Sequence, residues 1–221
     1  MSWSKQTSIK PEGAGKIRVK IKDHAELAAT ELSTVGDVVE KSREILPFVL
    51  AQLAWPRGGS KPDRDARLNR YFKTGATPSQ GDISTIYAKL ELTMNGINGK
   101  VNVKVAPNPR AYGYVGLRGG AKGLLRGLFS PRHNFGRDEG RLITWGDIHL
   151  DTDVLDDFDL AVVTFIHEAT HKFASTNDYG DAGYLKNDGL RFRKDGLQNA
   201  QALNNADSYA WFCMAEYTGL L

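Results

Sequence analysis

The five residues His167-Glu168-Ala169-Thr170-His171, reached through the apolar run Leu160 to Ile166, constrain this chain more than any other stretch. Leu160, Val162, Val163, Phe165 and Ile166 make that run almost wholly apolar, so a helix here is central and buried. A helix so placed does not carry two histidines and a glutamate without partners for them. Positions i and i+4 stand one turn apart on nearly the same face, so the imidazoles of His167 and His171 can reach one metal ion. Glu168 is rotated by about 100° from His167. It falls outside the metal's ligand shell but within reach of a bound water. Zinc lowers the pKa of such a water towards neutrality, and a carboxylate completes its activation. The expectation is therefore Zn2+ as cofactor, His167 and His171 as ligands and Glu168 as general base. The plainer alternative is a pair of hydrogen-bonded core histidines.

A catalytic zinc site normally uses three protein ligands and a water. No third histidine follows at metzincin spacing, where Asn177 stands instead. The next residues, Ala174-Ser175-Thr176-Asn177-Asp178-Tyr179-Gly180-Asp181-Ala182-Gly183-Tyr184, contain glycines that let the chain reverse. That return can bring an aspartate back to the metal.

These residues resemble the aspzincin metallopeptidases, the family of deuterolysin and peptidyl-Lys metalloendopeptidase. There the helix motif is followed by a Gly-Thr…Asp-x-x-Tyr-Gly turn, and further on by an Asn-Ala-Asp segment and an aromatic helix. This chain has Asn205-Ala206-Asp207-Ser208-Tyr209-Ala210-Trp211-Phe212 at the second place, and Asp147-Ile148-His149-Leu150 looks like the family's strand before the zinc helix. The resemblance covers about residues 141–218. It implies an α+β, zincin-like fold, mainly helical, with a small mixed or antiparallel sheet and a central zinc-binding helix. It also implies that an aspartate is the third ligand, that Tyr184 stabilises the oxyanion, and that Asp207 is a substrate-side residue. Orienting a zinc ligand or capping the last helix is an equal reading for Asp207.

Two departures bear on the ligand. Ser175 replaces the glycine before Thr176, and Leu185 replaces the one after Tyr184. Asp178 keeps the spacing from Thr176, whereas Asp181 keeps the spacing to Tyr184. Asp181 is preferred, because ligand and tyrosine must face one another across the metal; Asp178 is the alternative. The second acid of the family's lysine pocket falls at Ala210, which argues against strict lysine specificity.

Elsewhere the chain reads as scaffold. Residues 1–15 are polar and expected to be flexible. Residues 16–140 are expected to form a helical and strand scaffold, compact with a catalytic part at 141–221. Lys16 to Lys22 alternates as an edge strand with a basic outer face. Helical spacing runs from Asp23, as cap, to about Trp55, with a break near Thr34–Gly36 and a kink or second break at Pro47. Pro56 to Gly81 reads as a polar connection, Asp82 as the cap of a helix over Ile83–Met94, and residues 95–99 as a turn. Val101, Val103 and Val105 alternate as a strand with which Tyr112 to Leu117 can pair. Residues 116–140 form a basic, glycine-rich surface loop. Arg141 to Leu150 is strand, and Asp156 or Asp157 caps the motif helix. The lone Cys213 excludes an internal disulfide and a cysteine-rich metal site, and reads as a buried, inert thiol.

No stretch near the start reads as a signal peptide and none is long enough to span a membrane, so a soluble protein is expected, cytoplasmic or exported by another route. The expected function is a zinc-dependent metalloendopeptidase acting on polypeptides, with the edge of Ile148–Leu150 offered to the substrate. One alternative is an antibacterial effector or toxin that hydrolyses cell-wall peptide amides. Another, from a different class, is a nucleic-acid-binding protein with a structural metal, using Lys16–Lys22 and 116–140. The net charge of only +3 gives that reading little support, and it leaves Glu168 unexplained.

Overall fold

The computed structural model describes residues 5–9, 15–21, 29–54, 62–107, 111–117, 135–138 and 141–220. Alternating Ile17/Val19, Val101/Val103/Val105 and Ile148/Leu150 build one apolar sheet face, each of these side chains being buried. The strands are β1 (Lys5–Ile9), β2 (Ile17–Ile21), β3 (Val101–Val105), β4 (Gly113–Leu117), β5 (Phe135–Asp138) and β6 (Arg141–Leu150). Their order is β1-β2-β3-β6-β4, with β5 also paired to β6. β2, β3 and β6 run parallel; β1, β4 and β5 are antiparallel to their neighbours. Against the sheet and one another pack α1 (Ala29–Leu53), α2 (Pro62–Phe72), α3 (Gln80–Asn98), α4 (Phe158–Ala174) and α7 (Ala206–Thr218). Two short helices, α5 (Gly180–Gly183) and α6 (Asn199–Ala202), lie between α4 and α7. One apolar core runs from Ile17 to Ala215. The fold is α+β, mainly helical, with a small mixed sheet, as expected.

α4 is the centre of this arrangement. Asp157 caps it, its Oδ1 accepting the Leu160 N–H at 3.1 Å. Every residue from Ala161 to His171 is buried, with α1, α3, α7 and the sheet around it. α3 comes close because Gly96 has no side chain: a Cβ there would lie 2.2 Å from the Phe173 ring.

The scaffold differs from the sequence expectations in several places. A strand, β1, lies within the stretch read as flexible, and its pairing makes β2 an interior strand rather than an edge. α1 is continuous through Thr34–Gly36 and through Pro47, held by Val35, Val38, Val39, Ile45, Leu46 and Val49 in the core. The connection at 56–81 contains α2: Pro62 suits a first helical turn, Asp63 and Asp65 favour the helix N-terminus, and Leu68, Tyr71 and Phe72 are buried at helical spacing. α3 is capped by Ser79, whose Oγ accepts the Asp82 N–H at 3.0 Å, and runs through residues 95–98 instead of turning. Residues 113–117 pair with β6, not β3. Ile148–Leu150 is flanked by β3 and β4, so among the described residues the edge on that side belongs to β4. Asp23, and all of 116–140 except residues 116–117 and 135–138, lie outside the described residues. Cys213 is buried, and burial pushes its thiol pKa up. Among the described residues no helix is long and apolar enough to cross a membrane.

Candidate metal centre

Helical geometry brings His167 and His171 together as their spacing requires: the two Nε2 atoms are 3.0 Å apart. After α4 the chain reverses through Ser175, in the left-handed region at φ 54°, and the Thr176 N–H returns to the Thr170 carbonyl at 3.4 Å. Asn177 then bridges to the strand-like segment before α7, its N–H donating to the Asn204 carbonyl at 2.8 Å. This pins the next residue. Asp178 places Oδ1 3.3 Å from both His167 Nε2 and His171 Nε2.

The second nitrogens of the rings decide what the first can do. His171 Nδ1 lies 2.8 Å from the Thr176 carbonyl, which only accepts, so Nδ1 carries the proton. His167 Nδ1 lies 2.7 Å from Asp207 Oδ1 and is held likewise. In neutral rings both Nε2 lone pairs then face the same point beside a carboxylate oxygen. Two lone pairs at that separation repel unless a cation lies between them. Burial opposes a charge on His167, but Asp178 and Asp207 outweigh it and raise the ring's pKa well above its ordinary value. Asp178 is likewise held low by the two histidines, against its burial. The cluster is short of positive charge. Donors about 2.0–2.1 Å from a tetrahedral zinc stand roughly 3.3 Å apart, so the three atoms fit such an ion.

Glu168 is buried beside this triad, with Oε1 3.9 Å from His167 Nε2 and Oε2 without a hydrogen-bond partner among the described residues. An orphaned buried carboxylate oxygen is costly unless a ligand or water completes it. Burial raises the Glu168 pKa, opposed by the two histidines. β4 presses on its stem: a Cβ at Gly113 would stand 2.7 Å from Thr164 Cγ2 and 3.0 Å from Glu168 Cγ. Tyr184 stacks almost parallel to His167, with ring centroids 6.1 Å apart, and burial together with Asp178 raises its hydroxyl pKa. These groups line a cleft of about 880 Å³ between β4 and the segment that leads to α7.

The structure thus brings together His167, His171, Glu168, Tyr184 and Asp178. It does not bring Asp181, the aspartate preferred from spacing, into the cluster. That residue lies in α5, in a separate surface depression with Lys194 and Asp195. The reason is an extra helical turn: α5 lies between Asp178 and Tyr184, so the threonine spacing sets the carboxylate while the tyrosine still returns to the cleft. Asp207 lines the same cleft. Oδ1 faces His167 and Oδ2 accepts the Leu185 N–H at 2.7 Å, so both oxygens are engaged. His149 stacks on Tyr114 at 4.1 Å, away from the donors, and burial with Lys104 nearby lowers its pKa to about 4, leaving it neutral.

Two consequences can be measured. Asp207→Asn is expected to weaken zinc binding by about 10- to 100-fold in chelator competition, the usual cost of losing a partner that orients a ligating histidine. Ser175→Gly is expected to raise stability by roughly 0.5–1 kcal/mol in urea unfolding, since glycine relieves the left-handed strain and gives back part of the gain as chain entropy.

A mainly helical α+β frame with α4 at its centre also occurs among solved structures. The chain is similar to a solved structure described as a zinc peptidase from Grifola frondosa, with a TM-score of 0.57 over 87% of this chain and 98% of that one. The two are 14% identical, a level at which the likeness shows a common fold. No family model and no curated protein matches the chain.

Proposed function

We propose that the protein is a zinc-dependent endopeptidase, with His167, His171 and Asp178 holding the metal. The observation that carries this reading is the pair of Nε2 lone pairs, oriented by their Nδ1 partners, converging with Asp178 Oδ1 at 3.0 and 3.3 Å beside an unpartnered Glu168 oxygen. When bound, zinc would supply Lewis-acid polarisation of a scissile carbonyl and an acidified water. Glu168 is placed to take a proton from that water and return it to the leaving amine, and its raised pKa suits a group that must do both. The Tyr184 hydroxyl, held protonated, can donate to the oxygen that gains charge. Asp207 and the Thr176 carbonyl fix the imidazoles. β4 lines the cleft and is an edge strand among the described residues, so it can offer backbone groups to an extended chain, which favours a polypeptide over a compact amide.

Incubation of zinc-loaded protein with casein and with a peptide library is expected to give cleavage that a chelator stops and zinc restores. Purified cell-wall peptide fragments form the parallel arm. Cleavage there and not in casein would favour the cell-wall reading, and cleavage in neither would overturn the peptidase reading.

A further inference from the structure

Besides the two histidines, the cleft holds one basic side chain among the described residues, Arg193, and its place is built by the fold. Residues 184–193 form a short hairpin in which the Arg193 N–H donates to the Tyr184 carbonyl at 2.7 Å and the Lys186 N–H to the Arg191 carbonyl at 2.8 Å. The hairpin tip is tied down: the Tyr71 hydroxyl donates to the Gly189 carbonyl at 3.0 Å, and Gly189 sits so close to Trp211 that a Cβ would fall 2.2 Å from its ring. Arg193 is thus carried by a rigid element. Its Nε donates to the Leu185 carbonyl at 3.2 Å, and its guanidinium lies 5.4 Å from the centre of the Tyr184 ring. These contacts use one edge and one face of the fork.

The terminal nitrogens face no carboxylate at ion-pair distance among the described residues, although five acidic residues line the same cleft. Asp178 is engaged by the two histidines, Asp207 by His167 and Leu185, and Glu168 lies buried under β4. From the guanidinium to the His167 ring are two steps, 5.4 Å to Tyr184 and 6.1 Å onward. An extended peptide rises about 3.3 Å per residue, so a substrate group one to three residues from the scissile bond falls at Arg193. A planar, permanently charged fork with free donors recognises carboxylates.

We propose that Arg193 is a specificity residue that receives a substrate carboxylate, from an acidic side chain or a free C-terminus, on the Tyr184 side of the scissile bond. This rests on the endopeptidase reading above. It assigns Arg193 to substrate binding and no part in the bond-breaking step.

The test uses matched fluorogenic peptides that differ only in carrying Glu, Gln or Lys at one position near the scissile bond, each as free acid and as C-terminal amide. Zinc-loaded wild type is expected to favour the Glu peptide over the Gln peptide by roughly tenfold in kcat/KM, mainly through KM. The preference should shrink as salt is raised. Arg193→Gln should remove it, Arg193→Glu should turn it towards Lys, and Arg193→Lys should keep part of it. A gain seen only with free acids would identify the terminal carboxylate as the source. Binding of the same peptides to the Glu168→Gln variant, followed by calorimetry, reads the preference without turnover. Equal treatment of Glu and Gln peptides in both assays, or a Glu preference that survives Arg193→Glu, overturns the assignment of Arg193 alone. Wild type that cleaves no peptide overturns the endopeptidase reading instead, whatever the binding arm gives.

Discussion

Glutamine in place of Glu168 is expected to leave fold and zinc content unchanged while lowering kcat by about 10²- to 10⁴-fold, the usual contribution of a general base. Glutamine has nearly the same shape, so it fits the space beneath Gly113 that already holds the Glu168 stem. What it cannot do is accept a proton. The carboxylate stands at the edge of the donor cluster, 3.9 Å from His167 Nε2 against 3.3 Å for Asp178, near enough to serve a water held there. Steady-state kinetics on a cleaved peptide, with zinc measured on the same samples, separates the two roles. A variant that keeps zinc and keeps its rate would remove Glu168 from the chemistry; one that loses zinc would make it a ligand.

The second large effect is expected at Asp178. Under the proposed ligation, truncation to alanine removes one of three protein donors and leaves two imidazole lone pairs facing each other, so zinc affinity should fall by more than about 100-fold, the upper end of what outer-shell losses cost. Asp181→Ala should bind zinc as wild type does, because that side chain lies in α5 outside the cluster. Competition against a chelator of known affinity measures both. The reverse result, with zinc lost on removing Asp181 and kept on removing Asp178, would restore the assignment preferred from spacing.

Helical spacing was enough to place His167, Glu168 and His171, because a rigid helix turns a sequence interval into a fixed direction. The carboxylate that joins the two histidines was harder to read, because Asp178 lies between helices. Two motif intervals conflicted there, and only the extra turn of α5 shows how Asp178 can keep one while Tyr184 keeps its place. Thr176 carried no ligand signal, since its shorter contact with His171 Nδ1, at 2.8 Å, is through the backbone carbonyl and its hydroxyl stands 3.3 Å away. The wall of the cleft was misplaced from Tyr112–Val115 to Ile148–Leu150 for a similar reason. Alternation identifies strands but not their neighbours, and β6 lies between two partners that are distant in sequence. α2 was missed because arginines and aspartates dominate its composition, although Leu68, Tyr71 and Phe72 keep helical spacing. Arg193 had no motif at all. Its position depends on a hairpin anchored by Tyr71 and Trp211, contacts that no local pattern encodes.

X-ray absorption at the zinc edge on the purified wild-type protein, with metal content measured alongside, tests the proposed centre most directly. One zinc per chain is expected, with two imidazole nitrogens and a carboxylate oxygen at about 2.0–2.2 Å and a light atom completing the shell. A protein that takes up no stoichiometric zinc, or one whose spectrum requires a single imidazole, would contradict it.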